Sequence, residues 1–200
     1  MALCLRGISK SFSGYRVLDS VDFSLSAGQI HAVVGENGAG KSVLMKVIAG
    51  IEKPDSGEIH MDGRSVLSAG YDGRRKMGIH MIGQGMNLVE TMTVLDNLFL
   101  NDWMMKRGGL LISRKQQYEK GRRLLKELGL DPGLLERRTG ELELDQKKMI
   151  EVAKALLWDS RILIMDEVAS FLNDVEKDRL FSVMRRLAQA GTAIIFISHD

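Results

Sequence analysis

Short apolar-rich runs of strand length open the chain, at residues 3–8, 17–25, 29–34 and 58–61. Turn pairs Ala27-Gly28 and Asp62-Gly63 separate them. Residues 42–49 carry a helical pattern closed by Gly50. A strand is predicted near 77–82, leading into Gly83-Gln84-Gly85. The stretch from about 86 to 158 is mostly helical in pattern. Within it, 115–128 reads as an amphipathic helix ending at Gly129, with Asp131-Pro132-Gly133 as a turn, and 145–157 as a second helix. A buried-type strand at 162–165 runs straight into Asp166-Glu167. A helix at 174–189 and an apolar strand at 192–197 complete the pattern. Strands alternating with helices predict an α/β core with parallel strands.

Composition narrows the options. Two hundred residues allow one sizeable domain or two small ones. Hydrophobic residues are 44% and charged residues 27%, ordinary for a globular chain. A net charge of +2 gives a nucleic-acid partner no support. The single cysteine, Cys4, excludes an internal disulfide and fits a reducing compartment. No apolar run approaches the roughly 18 residues a membrane-spanning helix needs, and the first residues lack the apolar core of a signal peptide. Any membrane role is therefore expected to come through a partner. The twelve methionines read as adaptable core filler. The sequence stops just after a buried-type strand, which suggests a piece of a longer protein; a naturally short chain is the alternative.

The candidate chemistry starts at Gly35-Glu36-Asn37-Gly38-Ala39-Gly40-Lys41-Ser42, a match to G-x-x-x-x-G-K-[ST]. Such a loop wraps phosphates with backbone N–H groups, and the helix N-terminus behind it favours negative charge. Lys41 would reach the β- and γ-phosphates and Ser42 would ligate Mg²⁺. A Gly-rich turn can match this pattern by accident, but the flanking strand and helix argue against that. Arg161-Ile162-Leu163-Ile164-Met165-Asp166 is an apolar strand ending in a carboxylate that would hold Mg²⁺ through its hydration shell. Glu167 could orient or deprotonate an attacking water. Gln84 could contact metal and water, and His199 the γ-phosphate. Taken singly these are ordinary polar residues; their order and spacing give the pattern its meaning.

Taken together, these motifs resemble the nucleotide-binding domain of an ABC transporter over essentially the whole chain. Gly35 to Ser42 then matches the Walker A loop, Gln84 the Q-loop, Asp166 and Glu167 the Walker B aspartate and catalytic glutamate, and His199 the switch histidine. The resemblance implies catalytic roles for Glu167, His199 and Gln84, with Mg²⁺ held by Ser42, Gln84 and Asp166. The ATP-binding set would be Phe12, Gly35, Glu36, Asn37, Gly38, Ala39, Gly40, Lys41, Ser42 and Val43. Phe12 matches the aromatic that stacks on adenine; Tyr15 is a weaker candidate, and a core role is open for either. The implied fold is a P-loop NTPase core with a parallel sheet, an antiparallel β subdomain at the N-terminus and an inserted helical subdomain. The core would take 1–85 and 159–200, and the helical subdomain about 86–158. Met86-Asn87-Leu88, Asn97-Leu98-Phe99-Leu100 and the run from Met149 to Leu156 are similar to importers of the ribose, galactose and xylose group. In that group two such domains are usually fused. The implied partners are a second nucleotide-binding domain, membrane permease subunits and, indirectly, a sugar-binding protein. The implied location is peripheral, on the cytoplasmic face of the cell membrane.

Some positions depart from the family pattern. The family signature Leu-Ser-Gly-Gly-Gln aligns with Leu142-Glu143-Leu144-Asp145-Gln146. In the family each signature caps the nucleotide held by the opposite domain, where a carboxylate about 4 Å from a phosphate would cost on the order of 4 kcal/mol. Helix capping by Asp145 is the benign reading of that residue. Val168-Ala169 replaces Pro-Thr, Asn173 replaces the D-loop aspartate, and Val43 replaces a hydroxyl residue. These departures keep a second expectation open, a regulatory module that binds ATP and hydrolyses it poorly. A third, an ABC-type ATPase working on nucleic acid or ribosomes, is disfavoured by the near-neutral charge.

Overall fold

Alternating burial along the first strands sets the N-terminal layer. In the computed structural model, which describes residues 2–83, 85, 87–105 and 113–198, β1 (Leu3–Phe12) buries Leu3, Leu5 and Ile8 on one face. It pairs antiparallel with β2 (Tyr15–Leu25) and β4 (Ser56–Met61), and the two-residue β5 (Arg64–Ser65) extends the sheet to the order β2-β1-β4-β5. The β1–β2 hairpin closes through Ser13 and Gly14, both at positive φ (48° and 86°), as a two-residue type I′ connection requires.

A second sheet is parallel, in the order β3-β8-β7-β6: β3 (Ile30–Val33), β8 (Ala193–Ile197), β7 (Ile162–Asp166) and β6 (Ile79–Ile82). Every residue of β7 and β8 is buried, which explains their unbroken apolar runs. Helix α1 (Lys41–Ala49) buries Leu44, Met45, Val47, Ile48 and Ala49 in a core shared with Leu5, Ile59, Ile79, Ile164 and Ile195. The result is the expected α/β architecture, a parallel sheet with an antiparallel N-terminal sheet.

The strand expected from 77 begins at Ile79 instead. Ahead of it lies α2 (Tyr71–Lys76), whose sequence has no apolar period. What holds α2 is Arg74, which is buried and donates through Nη1 to the carbonyls of Val47 and Ile48 (2.9 Å to Ile48) at the end of α1. Carbonyls at a helix C-terminus run short of helical donors; the Val47 carbonyl also accepts the Gly50 N–H at 3.2 Å, and Arg74 adds to that cap. Met77 and Gly78 (φ 90°) then turn the chain into β6.

The chain divides into two compact units. The first takes Met1–Gln84, Asp159–Ser170 and Met184–Asp200; the second takes Gly85–Trp158 and Phe171–Val183. The second unit holds α3 (Val94–Met105), α4 (Arg114–Glu127) and α5 (Leu144–Leu156), together with the first part of α6 (Asp174–Gln189). Ser113 and Gln116 cap α4 reciprocally, at 3.3 and 3.0 Å. Asp131 opens a 3-10 turn at Pro132–Glu136 by accepting the Gly133 N–H at 2.9 Å. α5 begins at Leu144 with Glu143 as its N-cap residue, so Asp145 lies in the first turn and is not the cap.

Candidate functional site

The loop between β3 and α1 is shaped by its glycines. Gly38 and Gly40 stand at φ 83° and 87°, a conformation that side chains with a Cβ rarely adopt. Gly40 also meets β2 closely: a Cβ there would lie 2.8 Å from the Val17 carbonyl oxygen. Lys41 folds over the loop, its ammonium donating to the carbonyls of Gly35 and, at 2.9 Å, Glu36. The Glu36 carbonyl also accepts the Ala39 N–H at 3.2 Å. Gly35 and Glu36 thus form the base of the loop and are held by Lys41.

Residues 37–43, with Val17 and Glu167, line a cavity of about 330 Å³ above the start of α1. Asn37, Gly38, Ala39, Gly40, Lys41, Ser42 and Val43, all expected in the site, therefore share one wall. Val17 was not expected. Its carbonyl abuts Gly40, and it reaches the cavity only because β2 folds back along the loop, which no motif encodes.

Two further residues converge from β7. The Ser42 hydroxyl donates to Oδ1 of Asp166 at 3.2 Å, and Asp166 is only 1% exposed. A hydroxyl and a buried carboxylate side by side at the mouth of a phosphate-type loop suit Mg²⁺, which takes one or two protein oxygens and completes its shell with phosphate and water. Among the described residues there is no group of three or more His, Cys, Asp or Glu side chains that would form an all-protein metal cage. Glu167 holds a left-handed backbone, φ 57°, with its N–H donating to the Ile197 carbonyl at 3.3 Å on β8. Such a conformation costs a non-glycine residue about 1–3 kcal/mol. Here it turns Glu167 out of the buried strand and into the cavity wall.

Phe12 stands at the hairpin end of β1, 40% exposed, with the Lys10 ammonium 5.2 Å from its ring centroid. It is not among the residues lining the cavity. Lys10 is itself fixed by the Lys53 carbonyl at 2.7 Å and by Asp55 at 3.5 Å. The Ser11 N–H bonded to Asp55, assisted by Lys10, holds that carboxyl below its usual range. Tyr15, across the turn, is exposed. Gln84 and His199 lie outside the described residues.

Comparisons with known proteins agree with this geometry. The family model described as ABC transporter matches residues 18–170. Over all of its length the chain is 41% identical to the ribose import ATP-binding protein RbsA of Chromobacterium violaceum. Over 99% of its length it is 41% identical to a putative ribose/galactose/methyl galactoside import ATP-binding protein of Agrobacterium fabrum. The chain spans 39% of the length of each of these relatives. A solved dimeric bacterial ABC transporter cassette superposes with a TM-score of 0.89 at 22% identity, over 99% of this chain and 88% of that one. At that identity the likeness shows the fold.

Proposed function

This chain belongs to the ABC transporter family, and on that premise we propose that it binds MgATP and hydrolyses it to drive uptake of a sugar. The observation that carries the reading is the convergence on one cavity of the glycine loop, the Ser42–Asp166 pair and the strained Glu167. The loop N–H groups and the N-terminus of α1 would hold the phosphates. Lys41, released from the carbonyls of Gly35 and Glu36, would carry its charge to the β- and γ-phosphates. Mg²⁺ held at Ser42 and Asp166, with Gln84 as a further ligand, would neutralise charge building between those phosphates. Glu167 would orient the attacking water and accept its proton, and His199 and Gln84 would complete the γ-phosphate end. Phe12 would stack on adenine.

Sugar import is supported by the names of relatives that cover the whole chain at about two-fifths of their own length. The partners this implies are a second nucleotide-binding domain, a permease and, through the permease, a sugar-binding protein. Among the described residues no helix is long and apolar enough to cross a membrane, so the proposed place is against the permease at the cytoplasmic face. The test is ATP turnover in the assembled transporter with Glu167→Gln. Loss of a positioned general base should lower kcat by about 10²–10⁴-fold. Turnover equal to native would move the chain to the class of regulatory ATP-binding modules.

A further inference from the structure

The hairpin end of β1 is braced by a segment outside the phosphate loop. The β1–β4 ladder ends at the Ser9–Ser56 pair. Beyond it, among the described residues, β1 is laddered to β2 alone, through the pairs Lys10–Leu18, Ser11–Arg16 and Phe12–Tyr15. A two-stranded ribbon is only marginally stable in water. Asp55 takes over where β4 stops. Its N–H donates to the Ser9 carbonyl at 2.8 Å, and its Oδ2 accepts the Ser11 N–H at 2.7 Å. Main-chain groups two residues apart in a strand face the same edge, so one residue serves both, as a further rung of β4 would. The Lys10 ammonium joins the same corner, donating to the Lys53 carbonyl at 2.7 Å and lying 3.5 Å from Asp55 Oδ1 and 4.0 Å from Glu52 Oε2. Residues 52–55 thus hold residues 9–11 by main chain and side chain together.

A surface ion pair of this kind stabilises a fold little. Its position suggests what it does instead. Phe12 follows immediately, with its ring centroid 5.2 Å from the Lys10 ammonium. Its ladder partner Tyr15 stands two residues before Val17 of the cavity wall, about 7 Å along the strand. A ring on a frayed ribbon has to be ordered each time a base stacks on it, whereas a ring on a braced strand is ordered beforehand.

We propose that Asp55 is a positioning residue for the nucleobase: by holding Ser11 and Lys10 it fixes the end of β1 and presents the Phe12 ring to adenine already in place. This rests on the reading above of Phe12 as the ring that stacks on adenine. Asp55 is not among the described residues lining the phosphate cavity and acts through Phe12.

The experiment measures ATP turnover in the assembled transporter for the native chain, Asp55→Ala, Asp55→Asn, Phe12→Ala and the double variant Phe12→Ala with Asp55→Ala. Asp55→Ala should raise KM for ATP about three- to tenfold, the cost of ordering a side chain or two on binding, with kcat little changed. Asp55→Asn keeps an acceptor for the Ser11 N–H and should bring KM most of the way back. Inorganic tripolyphosphate, which has no base, is the control ligand. Its inhibition constant should be the same in the native chain and Asp55→Ala, whereas a general loosening of the fold would weaken it too. In the Phe12→Ala background Asp55→Ala should add nothing to KM, as expected of two residues that act as one unit. Should Asp55→Ala not assemble, Lys10→Met, which removes the bonds to Lys53 and Asp55 and keeps an apolar stem, takes its place in each comparison. A native KM in that variant overturns the proposal, and so does a rise in KM that tripolyphosphate shares or that persists in the Phe12→Ala background. Two controls separate the levels of the reading. Turnover that Glu167→Gln does not reduce sinks the ATPase reading, and an unchanged KM in Phe12→Ala sinks the stacking of adenine. A KM raised by Phe12→Ala but not by Asp55→Ala sinks this inference alone.

Discussion

Gly38 and Gly40 separate two reasons for a glycine that the motif alone merges. Both stand in the left-handed region, but a Cβ on Gly38 would meet nothing within 4 Å, while one on Gly40 would meet the Val17 carbonyl at 2.8 Å. Gly38→Ala should therefore cost only the conformational strain, about 1–2 kcal/mol. Gly40→Ala adds a collision with backbone that only a shift of β2 can relieve. Thermal unfolding should show a drop of about 2–8 °C for Gly38→Ala, at 2–4 °C per kcal/mol for a domain of this size, and a larger drop for Gly40→Ala. ATP affinity should fall more in Gly40→Ala, because Val17 and Gly40 share the cavity wall. Equal effects of the two substitutions would mean that β2 does not brace the loop. At this scale the sequence was highly legible: the loop, Ser42 and Asp166 come together as their spacing implies. Val17 was not legible, since its role depends on a packing contact between segments without a shared motif.

Among the elements, those with a strong period were readable and those held by tertiary contact were not. α4 and α5 lie within a residue of their expected bounds, because caps and apolar spacing act locally. α2 was missed because Arg74, docked on the end of α1, substitutes for an apolar face. That same stretch displaced the start of β6, which carries His80. His80 is 7% exposed, with Nδ1 2.9 Å from the Ser160 hydroxyl. Burial first, and Arg75 second, lower its pKa from 6.5 to about 4, against an opposing pull from Asp159. The folded state therefore refuses a proton that the unfolded chain accepts. This contribution to stability is complete above pH 6.5 and is lost as the pH falls from 6.5 towards 4. Allowing for solvent screening, the loss is about 1–2 kcal/mol. Comparing unfolding midpoints at pH 7 and pH 4.5, His80→Gln should lose less stability than the native chain. An identical acid response would show that His80 is protonated without penalty.

For the whole molecule, the proposed dimer of nucleotide-binding domains makes the N-terminus of α5 the decisive surface. Glu143 caps that helix, with its N–H donating to Gln146 Oε1 at 3.3 Å, and Asp145 accepts the Gln146 N–H at 2.7 Å. Both carboxylates suit a positive helix end, worth about 0.3–1 kcal/mol each. The same charges would oppose a phosphate brought there by a second domain, by up to about 4 kcal/mol at close contact. Helix stability and phosphate capping therefore pull in opposite directions at these two positions, and here the helix has won. The two ATP sites of such a dimer become unequal. This chain's own loop would meet the partner's signature, while the partner's nucleotide would meet Glu143 and Asp145. The inequality can be read with this chain's site silenced by Glu167→Gln, so that only the partner's site contributes. Adding Glu143→Ser and Asp145→Gly should then raise the residual turnover about tenfold or more, since each 1.36 kcal/mol of barrier is a factor of ten. The carboxylate repulsion is screened by salt, so the gain should shrink as ionic strength rises. A residual turnover that the two substitutions leave unchanged at low salt would place the acidic end of α5 away from the partner's phosphates, and the asymmetry would have to be abandoned.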